Sequence, residues 1–322
     1  GYIVKRYVHD ENAPNSLSCN NIYDIVEDRQ QRLWIATYNG GLNMYDLRQQ
    51  HDVFVHRDNG LSGWPADEES NKMRCLYITA EQVLMAGTLN GLFTCSLEDN
   101  PRDMKFWHHC RRPDDAASLS YNWVVDIEPL RDHTVAIATS GGGFCLADDR
   151  QLLSDRTPFN TFTTDQGLPS DVCLSLFFKP DHGLYVVSQT SISCFSLSDS
   201  TVTNYTRGTL GEHFKLLETK PIFIRSQEIS GEGSLLFGTT KGVLSVSPQD
   251  MQKSSYQPPL VFDCPSDIRL SPDERSLTIQ FAALDFNKDQ TLIIFNDEID
   301  LFVGHAVIPC HDAVALVLIV GR

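Results

Sequence analysis

The sequence predicts an all-β protein: a β-propeller of four-stranded blades, about five of which are visible, followed by a second, small β-domain. Short apolar runs rich in β-branched and aromatic residues alternate with polar or glycine-bearing connectors of hairpin length. The pattern recurs, and the residue that opens the third strand of each unit is Gly41, Gly91, Gly142, Ser191 and Gly242. Steps of 50, 51, 49 and 51 residues are typical of propeller blades. A sandwich or barrel, the main alternative for regularly spaced short strands, does not require one unit to recur.

The first unit shows the pattern most completely. Its predicted strands are Ile22–Glu27, residues 33–37, residues 42–45 and the short Phe54–Val55. The turn into the third strand carries glycine because it needs either a positive φ or backbone without a Cβ.

The later units cover residues 71–93, 121–144, 170–195 and 221–246. Their second strands (VLMAGT, VAIAT, LYVVS and LLFGT) are apolar with little alternation. This predicts sheets that are buried on both faces, each packed between two neighbours.

The domain prediction places the blades at residues 1–247, a linker bearing proline and serine at 248–259, and the second domain at 260–322. The first residues resemble the last strand of a preceding blade, so we expect a piece of a longer protein. In the second domain, strands are predicted at 260–264, 268–270 and 277–284. The apolar tail after Asn287 is expected to form two strands rather than a membrane span. Polar residues and a proline interrupt that tail at His305, Pro309, His311 and Asp312.

Composition excludes some classes of function. A net charge of −16 argues against binding to nucleic acid, whose phosphates attract lysine and arginine, and against an anionic membrane surface. The nine cysteines include no C-x-x-C pair, so they are interpreted as core residues that do not fix the compartment. The pairs His108-His109 and His305 with His311 lack ligand spacing. We predict no metal, no cofactor and no catalytic residues.

Propeller ligands bind where the residues before the first strand meet the loop between the second and third strands. Aligning the repeats predicts ligand-binding residues of two kinds. Before the first strand these are Asn21, Lys72, Trp123 and Asp171, and in the loops they are Tyr38, Asn39, Leu89, Asn90, Ser140 and Gln189. An aromatic platform with amides and a carboxylate suits a carbohydrate. Replacing Trp123 and Lys72 with alanine is expected to abolish ligand binding.

Other conspicuous residues have simpler interpretations. Trp34 lies mid-strand and is predicted to be core, whereas Trp64 and Trp107 could serve an interface. The acidic pairs Glu27-Asp28, Asp114-Asp115 and Asp148-Asp149 lie in or beside turns, where aspartate bonds local backbone. Asp24 and Asp126 occupy matching strand positions and are interpreted as structural.

Two segments, SLSCNNIYDIVEDRQQRLWIATYNGGLNMYD and SLSYNWVVDIEPL…VAIATSGGGF, resemble the two-component regulator propeller repeat. The shared features are the Ser-Leu-Ser lead, a strand of the form D-I-x-E-D, a strand similar to L-W-I-G-T with Ala36 in place of glycine, and a glycine pair. The segment PPLVFD…LSPDERSLTIQFAALDF resembles the start of the immunoglobulin-like YYY domain that follows such propellers. The family's tyrosine-bearing strand and tryptophan do not follow Phe286.

This resemblance implies the periplasmic sensing region of a hybrid two-component histidine kinase of the Bacteroides type. Such proteins carry seven-bladed propellers, dimerise through the YYY domain and have a membrane anchor in the full-length protein. They commonly detect oligosaccharides from glycan breakdown and switch polysaccharide-utilisation genes. The alternatives are a propeller glycoside hydrolase or polysaccharide lyase, and a protein-interaction scaffold.

Overall fold

The computed structural model describes residues 5–97, 100–206, 215–225 and 233–248, and the strand segments 260–263, 276–283, 308–310 and 313–321. The described residues are almost entirely strand, turn and loop. Two single-turn 3-10 helices, Asp149–Gln151 and Thr164–Gln166, are the exceptions. The all-β prediction is therefore confirmed.

Five antiparallel sheets follow one another along the chain as meanders. Blade one consists of β1 (Ile22–Glu27), β2 (Arg32–Thr37), β3 (Gly41–Asp46) and β4 (Phe54–Val55). Blade two consists of β5 (Met73–Ile78), β6 (Val83–Thr88), β7 (Gly91–Ser96) and β8 (Trp107–His109). Blade three consists of β9 (Val124–Pro129), β10 (Thr134–Thr139), β11 (Phe144–Asp148) and β12 (Asn160–Phe162). Blade four consists of β13 (Ser175–Lys179), β14 (Gly183–Val187), β15 (Ser191–Phe195) and β16 (Val202–Thr206). Blade five has three described strands, β17 (Ile222–Arg225), β18 (Gly233–Thr239) and β19 (Gly242–Val246).

The first strands of successive blades lie side by side, β1 beside β5, β5 beside β9 and β9 beside β13. The second strands β6 and β14 are buried along their whole length, as their apolar runs predict. Apolar clusters fill the spaces between blades. Trp34, which is 0% exposed, packs with Phe93 between blades one and two, and Phe144 packs with Phe195 between blades three and four. The propeller is thus held together by sheet-on-sheet packing between consecutive blades.

A hydroxyl at the end of each second strand repeats through all five blades. It donates to the carbonyl oxygen of the residue that opens the third strand, at 2.8 Å from Thr37 to Gly41 and 2.9 Å from Thr88 to Gly91. The remaining pairs are Thr139 with Gly143, Ser188 with Ser191 and Thr239 with Gly242. The equivalent residue of blade three is therefore Gly143, directly before β11, and not Gly142. The run of three glycines in blade three gives the sequence no means of choosing between them.

The tryptophans Trp64 and Trp107 differ in how far they are buried. The sequence leaves an interface role open for Trp64, and the structure shows the residue 2% exposed in the core between blades one and two. Its ring lies against Phe93 and Phe106, and its Nε1 donates to Asn71 Oδ1 at 3.2 Å. The polar loop around Trp64 conceals this anchoring role. Trp107 is half-buried on β8 beneath the Lys105 ammonium group.

A short segment that leads into blade five crosses to the first strands of other blades. Lys220 Nζ lies 3.3 Å from Asp126 Oδ1 and 2.8 Å from Glu128 Oε2, both on β9, and Glu218 forms an ion pair with Arg74 on β5. Asp126 Oδ2 also accepts the Leu176 N–H of β13 at 2.8 Å. Asp24 Oδ2 likewise accepts the Leu76 N–H of β5 at 2.7 Å. These hydrogen bonds between first strands support a structural role for both aspartates.

The chain divides into two compact units, one of residues 1–207 and 213–251 and one of residues 208–212 and 252–322. In the second unit β20 (Leu260–Asp263), β21 (Ser276–Ala283), β22 (Ile308–Cys310) and β23 (Ala313–Gly321) form one antiparallel sheet in the order β20-β21-β23-β22. The described part of the apolar tail thus forms a pair of strands, as expected. The strand predicted at 268–270 lies outside the described residues, and the immunoglobulin-like assignment stays a prediction.

Candidate functional site

In blades one to three, a backbone hydrogen bond joins the blade to the residues that lead into the next. The N–H of the residue opening the third strand donates to a carbonyl oxygen before the following blade, at 3.1 Å from Gly41 to Asn71 and 2.7 Å from Gly91 to Asn122. Gly91 has φ +103, and a Cβ there would collide with the His109 carbonyl oxygen. Glycine is therefore required where blade two meets blade three.

A cleft of about 510 Å³ opens beside this junction. Its walls come from the residues before β5, the turn between β6 and β7, the loop after β8 and the residues before β9. The lining residues are Glu69, Leu89, Arg111, Pro113, Tyr121, Asn122 and Trp123. The cleft therefore lies where the second-to-third-strand turn of one blade meets the start of the next blade.

Two aromatic residues, Tyr121 and Trp123, are among those that line the cleft. The Tyr121 side chain is 37% exposed, and a Cβ added to Gly141 would lie 3.2 Å from its ring carbons Cε1 and Cζ. The ring thus rests on glycine backbone on one side. Trp123 packs against the apolar cluster between blades three and four. Its Nε1 is buried and has no hydrogen-bond acceptor among the described residues.

The polar wall is held by Asn122. Its Oδ1 accepts the Arg111 N–H at 2.7 Å and its carbonyl oxygen accepts the Gly91 N–H. Asn122 thereby fixes both the loop after β8 and the turn before β7. Within the described part of the chain, neither the Glu69 carboxylate nor the Arg111 guanidinium has an ion-pair partner within 4.0 Å. The cleft thus combines aromatic faces, an anion and a cation.

Of the residues predicted to bind ligand, the cleft brings together Trp123 and the loop residue Leu89. The carbonyl oxygens of Asn21, Lys72 and Trp123 accept equivalent hydrogen bonds from Tyr38, Leu89 and Ser140, so these three positions correspond in the structure. Asp171 does not correspond to these three residues but to the position directly before them. Its carbonyl oxygen accepts from Gly143, so it corresponds to Asn71 and Asn122.

The other predicted residues do not line the cleft, and several have partners of their own. Lys72 Nζ lies 2.5 Å from Glu68 Oε1. Asp171 Oδ1 accepts the Thr164 N–H at 2.7 Å, and Asn90 Nδ2 donates to Ser70 Oγ at 3.1 Å. Asn21, Asn39 and Gln189 are exposed, and Tyr38 lies against Tyr23.

Sequence reasoning missed Glu69, Arg111, Pro113, Tyr121 and Asn122. The residues Tyr121 and Asn122 directly precede Trp123, so a wider window around that tryptophan could have found them. Glu69 and Arg111 come from loops without periodicity, and the tertiary fold alone places them at the cleft.

The comparisons with known proteins bear on the fold. Residues 16–39 match the family model of the two component regulator propeller. The chain has no match among curated protein sequences. No helix in the described segments has the length and apolarity that crossing a bilayer requires.

Solved structures similar to this chain include extracellular domains from B. thetaiotaomicron. One, from a candidate hybrid two-component system, has a TM-score of 0.55 and 18% identity over 84% of this chain and 35% of its own. Another, described as part of a one component system, has a TM-score of 0.51 and 16% identity over 97% of this chain and 48% of its own. PorZ of Porphyromonas gingivalis, a surface component of the type-IX secretion system, has a TM-score of 0.53 and 14% identity over 75% of this chain and 34% of its own.

The chain spans between about a third and a half of the length of these structures. At such identities the likeness establishes the fold. It agrees with the repeating blades, the side-by-side first strands and the packing between sheets described above. The chain is a β-propeller protein, and residues 16–39, at its first blade, match the two component regulator propeller model.

Proposed function

We propose that this chain is the non-catalytic, extracytoplasmic sensing region of a hybrid two-component system, and that the cleft between blades two and three binds a glycan-derived oligosaccharide. The observation that carries the proposal is the cleft itself, whose lining combines two aromatic residues with polar and charged ones: Tyr121, Trp123, Arg111, Asn122 and Glu69. The regulator propeller repeat at residues 16–39 supports a signalling context.

An oligosaccharide suits this chemistry. The apolar faces of sugar rings stack on aromatic side chains, while hydroxyl groups accept from the guanidinium and donate to the carboxylate. The cleft volume of about 510 Å³ falls in the range of small-molecule sites.

The position of the cleft between two blades suggests how ligand binding would produce a signal. A ligand that touches the turn of blade two and the start of blade three favours one arrangement of the two blades over others, which shifts the population of states. In the full-length protein this shift would be passed to a homodimer formed through the YYY-like domain, across a membrane anchor, to a kinase that controls polysaccharide-utilisation genes. We place the sensing region in the periplasm.

The test is a thermal-shift screen of the chain against an oligosaccharide library, followed by calorimetry with the best stabilising sugar and product analysis of the same samples. Binding stabilises the native state, so the true ligand raises the Tm, and at equal concentration a tighter ligand raises it further. We expect Trp123→Ala and Arg111→Ala each to weaken binding at least about tenfold, since each removes a stacking face or a charged hydrogen bond.

Lys72→Ala is the matched control. The repeat alignment predicts a loss of binding in this variant, but Lys72 lies outside the cleft and pairs with Glu68, so we now expect unchanged affinity. If Lys72→Ala abolishes binding and Trp123→Ala does not, the site lies elsewhere on the rim. If no sugar binds, the oligosaccharide proposal is wrong.

The second candidate is a polysaccharide lyase. A lyase needs a tyrosine or histidine base near an arginine, and Tyr121 and Arg111 line the same cleft. Product analysis separates the two functions: unsaturated product that disappears in Tyr121→Phe would identify the enzyme, and binding without product supports the sensor.

A further inference from the structure

Three turns from two blades bring a histidine and two carboxylates together at the end of the strands opposite the cleft. Glu81 lies in the turn between β5 and β6, His133 in the turn between β9 and β10, and Asp149 directly after β11. His133 Nδ1 is 3.4 Å from Glu81 Oε1 and 3.1 Å from Asp149 Oδ1. The three ligand atoms all lie within 4.8 Å of one another.

The backbone beneath this cluster is repeated in blades one and two. The turn residues Gln31, Gln82 and His133 have φ of 61°, 60° and 59°. Their carbonyl oxygens accept N–H groups from Leu47, Leu97 and Asp149, at 3.0, 2.9 and 2.8 Å. Blades one and two thus place a glutamine and a leucine on the same scaffold where blade three places a histidine and an aspartate. The turn backbone is therefore common to the three blades, whereas the histidine and aspartate side chains that could bind a metal are found in blade three.

We propose that Glu81, His133 and Asp149 bind one divalent transition-metal ion of the zinc class, which links blade two to blade three. Zinc binds imidazole nitrogen and carboxylate oxygen at about 2.0–2.2 Å, so tetrahedral ligands lie about 3.4 Å apart. The two distances from His133 Nδ1 are close to that value. The imidazole favours zinc over calcium or magnesium, which prefer oxygen ligands alone. Water would fill the fourth position.

Electrostatics agree with a cation here. With neutral imidazole the cluster carries two negative charges, in a chain whose net charge is −16. The competing explanation is that a protonated His133 bridges the two carboxylates as an ordinary ion pair. Sequence spacing could not reveal the site, because the three residues are 52 and 16 positions apart and none belongs to a recognisable motif.

The experiment is calorimetric titration of the whole chain with ZnCl2, with CaCl2 and MgCl2 in parallel, at neutral pH. We expect one zinc ion per chain, no comparable binding of calcium or magnesium, and a higher Tm with zinc. His133→Gln installs the residue type that blades one and two carry at this position, so it preserves the turn, and we expect at least tenfold weaker zinc binding. Asp149→Asn should show a similar loss. His182→Gln, in the corresponding turn of blade four, serves as the control and should bind as the parent does.

Replacement of zinc by Co²⁺ provides a readout independent of stability. Ligation by nitrogen and oxygen gives a d–d spectrum without the intense thiolate charge-transfer band that cysteine ligands produce. Absence of zinc binding, unchanged affinity in His133→Gln, or a thiolate band would each overturn the proposal. Because the cluster and the cleft are separate, loss of oligosaccharide binding and loss of metal binding can be scored independently.

Discussion

At the scale of single residues, His109 is an ionisable side chain buried in the propeller core. Its side chain is 3% exposed, and its Nε2 lies 3.0 Å from Thr94 Oγ1 and 3.1 Å from the Leu152 carbonyl oxygen. The neighbouring His108 stacks on Phe93 with ring centroids 4.3 Å apart. The adjacent histidines therefore have separate structural partners. Burial lowers the pKa of His109 to about 4, although the hydrogen bond to Leu152 opposes the shift.

This shift predicts acid sensitivity. The imidazole titrates near pH 6.5 in the unfolded chain and near 4 in the folded one, so the unfolded state binds the proton more readily. Its contribution to stability is complete above about pH 6.5 and is lost as the pH falls to about 4, with a total of about 3 kcal/mol. Urea unfolding between pH 7 and 4.5 measures this loss.

The variant His109→Asn should flatten that pH dependence, because it removes the titrating group. The matched control is His51→Asn, at an exposed position, which should keep the parent's slope. An unchanged slope in His109→Asn would show that another group controls acid unfolding.

At the scale of elements, the turn between β1 and β2 holds a buried ion pair that also ties two blades together. Arg32 Nε lies 2.6 Å from Asp28 Oδ2, and Trp34 Nε1 donates to the same oxygen at 2.9 Å. Arg32 reaches on to the Leu97 carbonyl oxygen of blade two at 2.7 Å. The acidic turn residue is thus a local hydrogen-bond acceptor, as the sequence interpretation proposed, and it also positions an inter-blade contact.

We expect Asp28→Ala to lower the free energy of unfolding by about 3–5 kcal/mol, because it leaves the buried Arg32 charge without its partner. Asp46→Ala provides the contrast. The Asp46 pair with Arg48 lies at the surface, at 2.8 Å, and solvent-exposed pairs contribute little to stability. Denaturant unfolding of both variants measures the two losses of unfolding free energy. Equal losses would contradict the larger effect that we assign to the buried pair.

At the scale of the whole propeller, the segment before β17 connects blade five to three others. Glu218 reaches Arg74 of blade two, and Lys220 reaches Asp126 and Glu128 of blade three. In blade four, Gln189 accepts the Leu216 N–H and Ser175 Oγ donates to the Thr219 carbonyl oxygen. Burial lowers the pKa of Lys220, but the Asp126 and Glu128 carboxylates outweigh it and raise that pKa overall, so the lysine is charged at neutral pH.

Lys220→Met should destabilise blade five by about 1–3 kcal/mol, since it leaves the two carboxylates of β9 without their cation. The loss should appear as faster amide hydrogen exchange in β17–β19, with β2 and β6 unchanged. Because the lysine pKa is raised, the contribution is complete at neutral pH and is lost only above about pH 10.5. Uniformly faster exchange in every blade would contradict a local role.

The sequence predicts the blades well because hydrophobic runs and turn residues recur with a fixed period. Strand bounds differ from prediction by a residue or two where turns are ambiguous, as at Gly142 and Gly143. Trp123 could be found because it directly precedes a first strand. Glu69 and Arg111 could not, because loops obey no periodicity and their side chains meet only after the blades have packed. The anchoring role of Trp64 was hidden for the same reason.

The buried thiols of the propeller have a practical consequence. Cys75, Cys145 and Cys173 lie in blade two, in blade three and just before blade four, and burial raises the pKa of each, that of Cys173 to about 12. Because the thiolate is the reactive species, each sulfur should resist alkylation until its own surroundings open. The alkylation rate of each buried cysteine therefore measures how often its own blade opens. Comparing the three rates would give the order in which successive blades open, without any introduced probe.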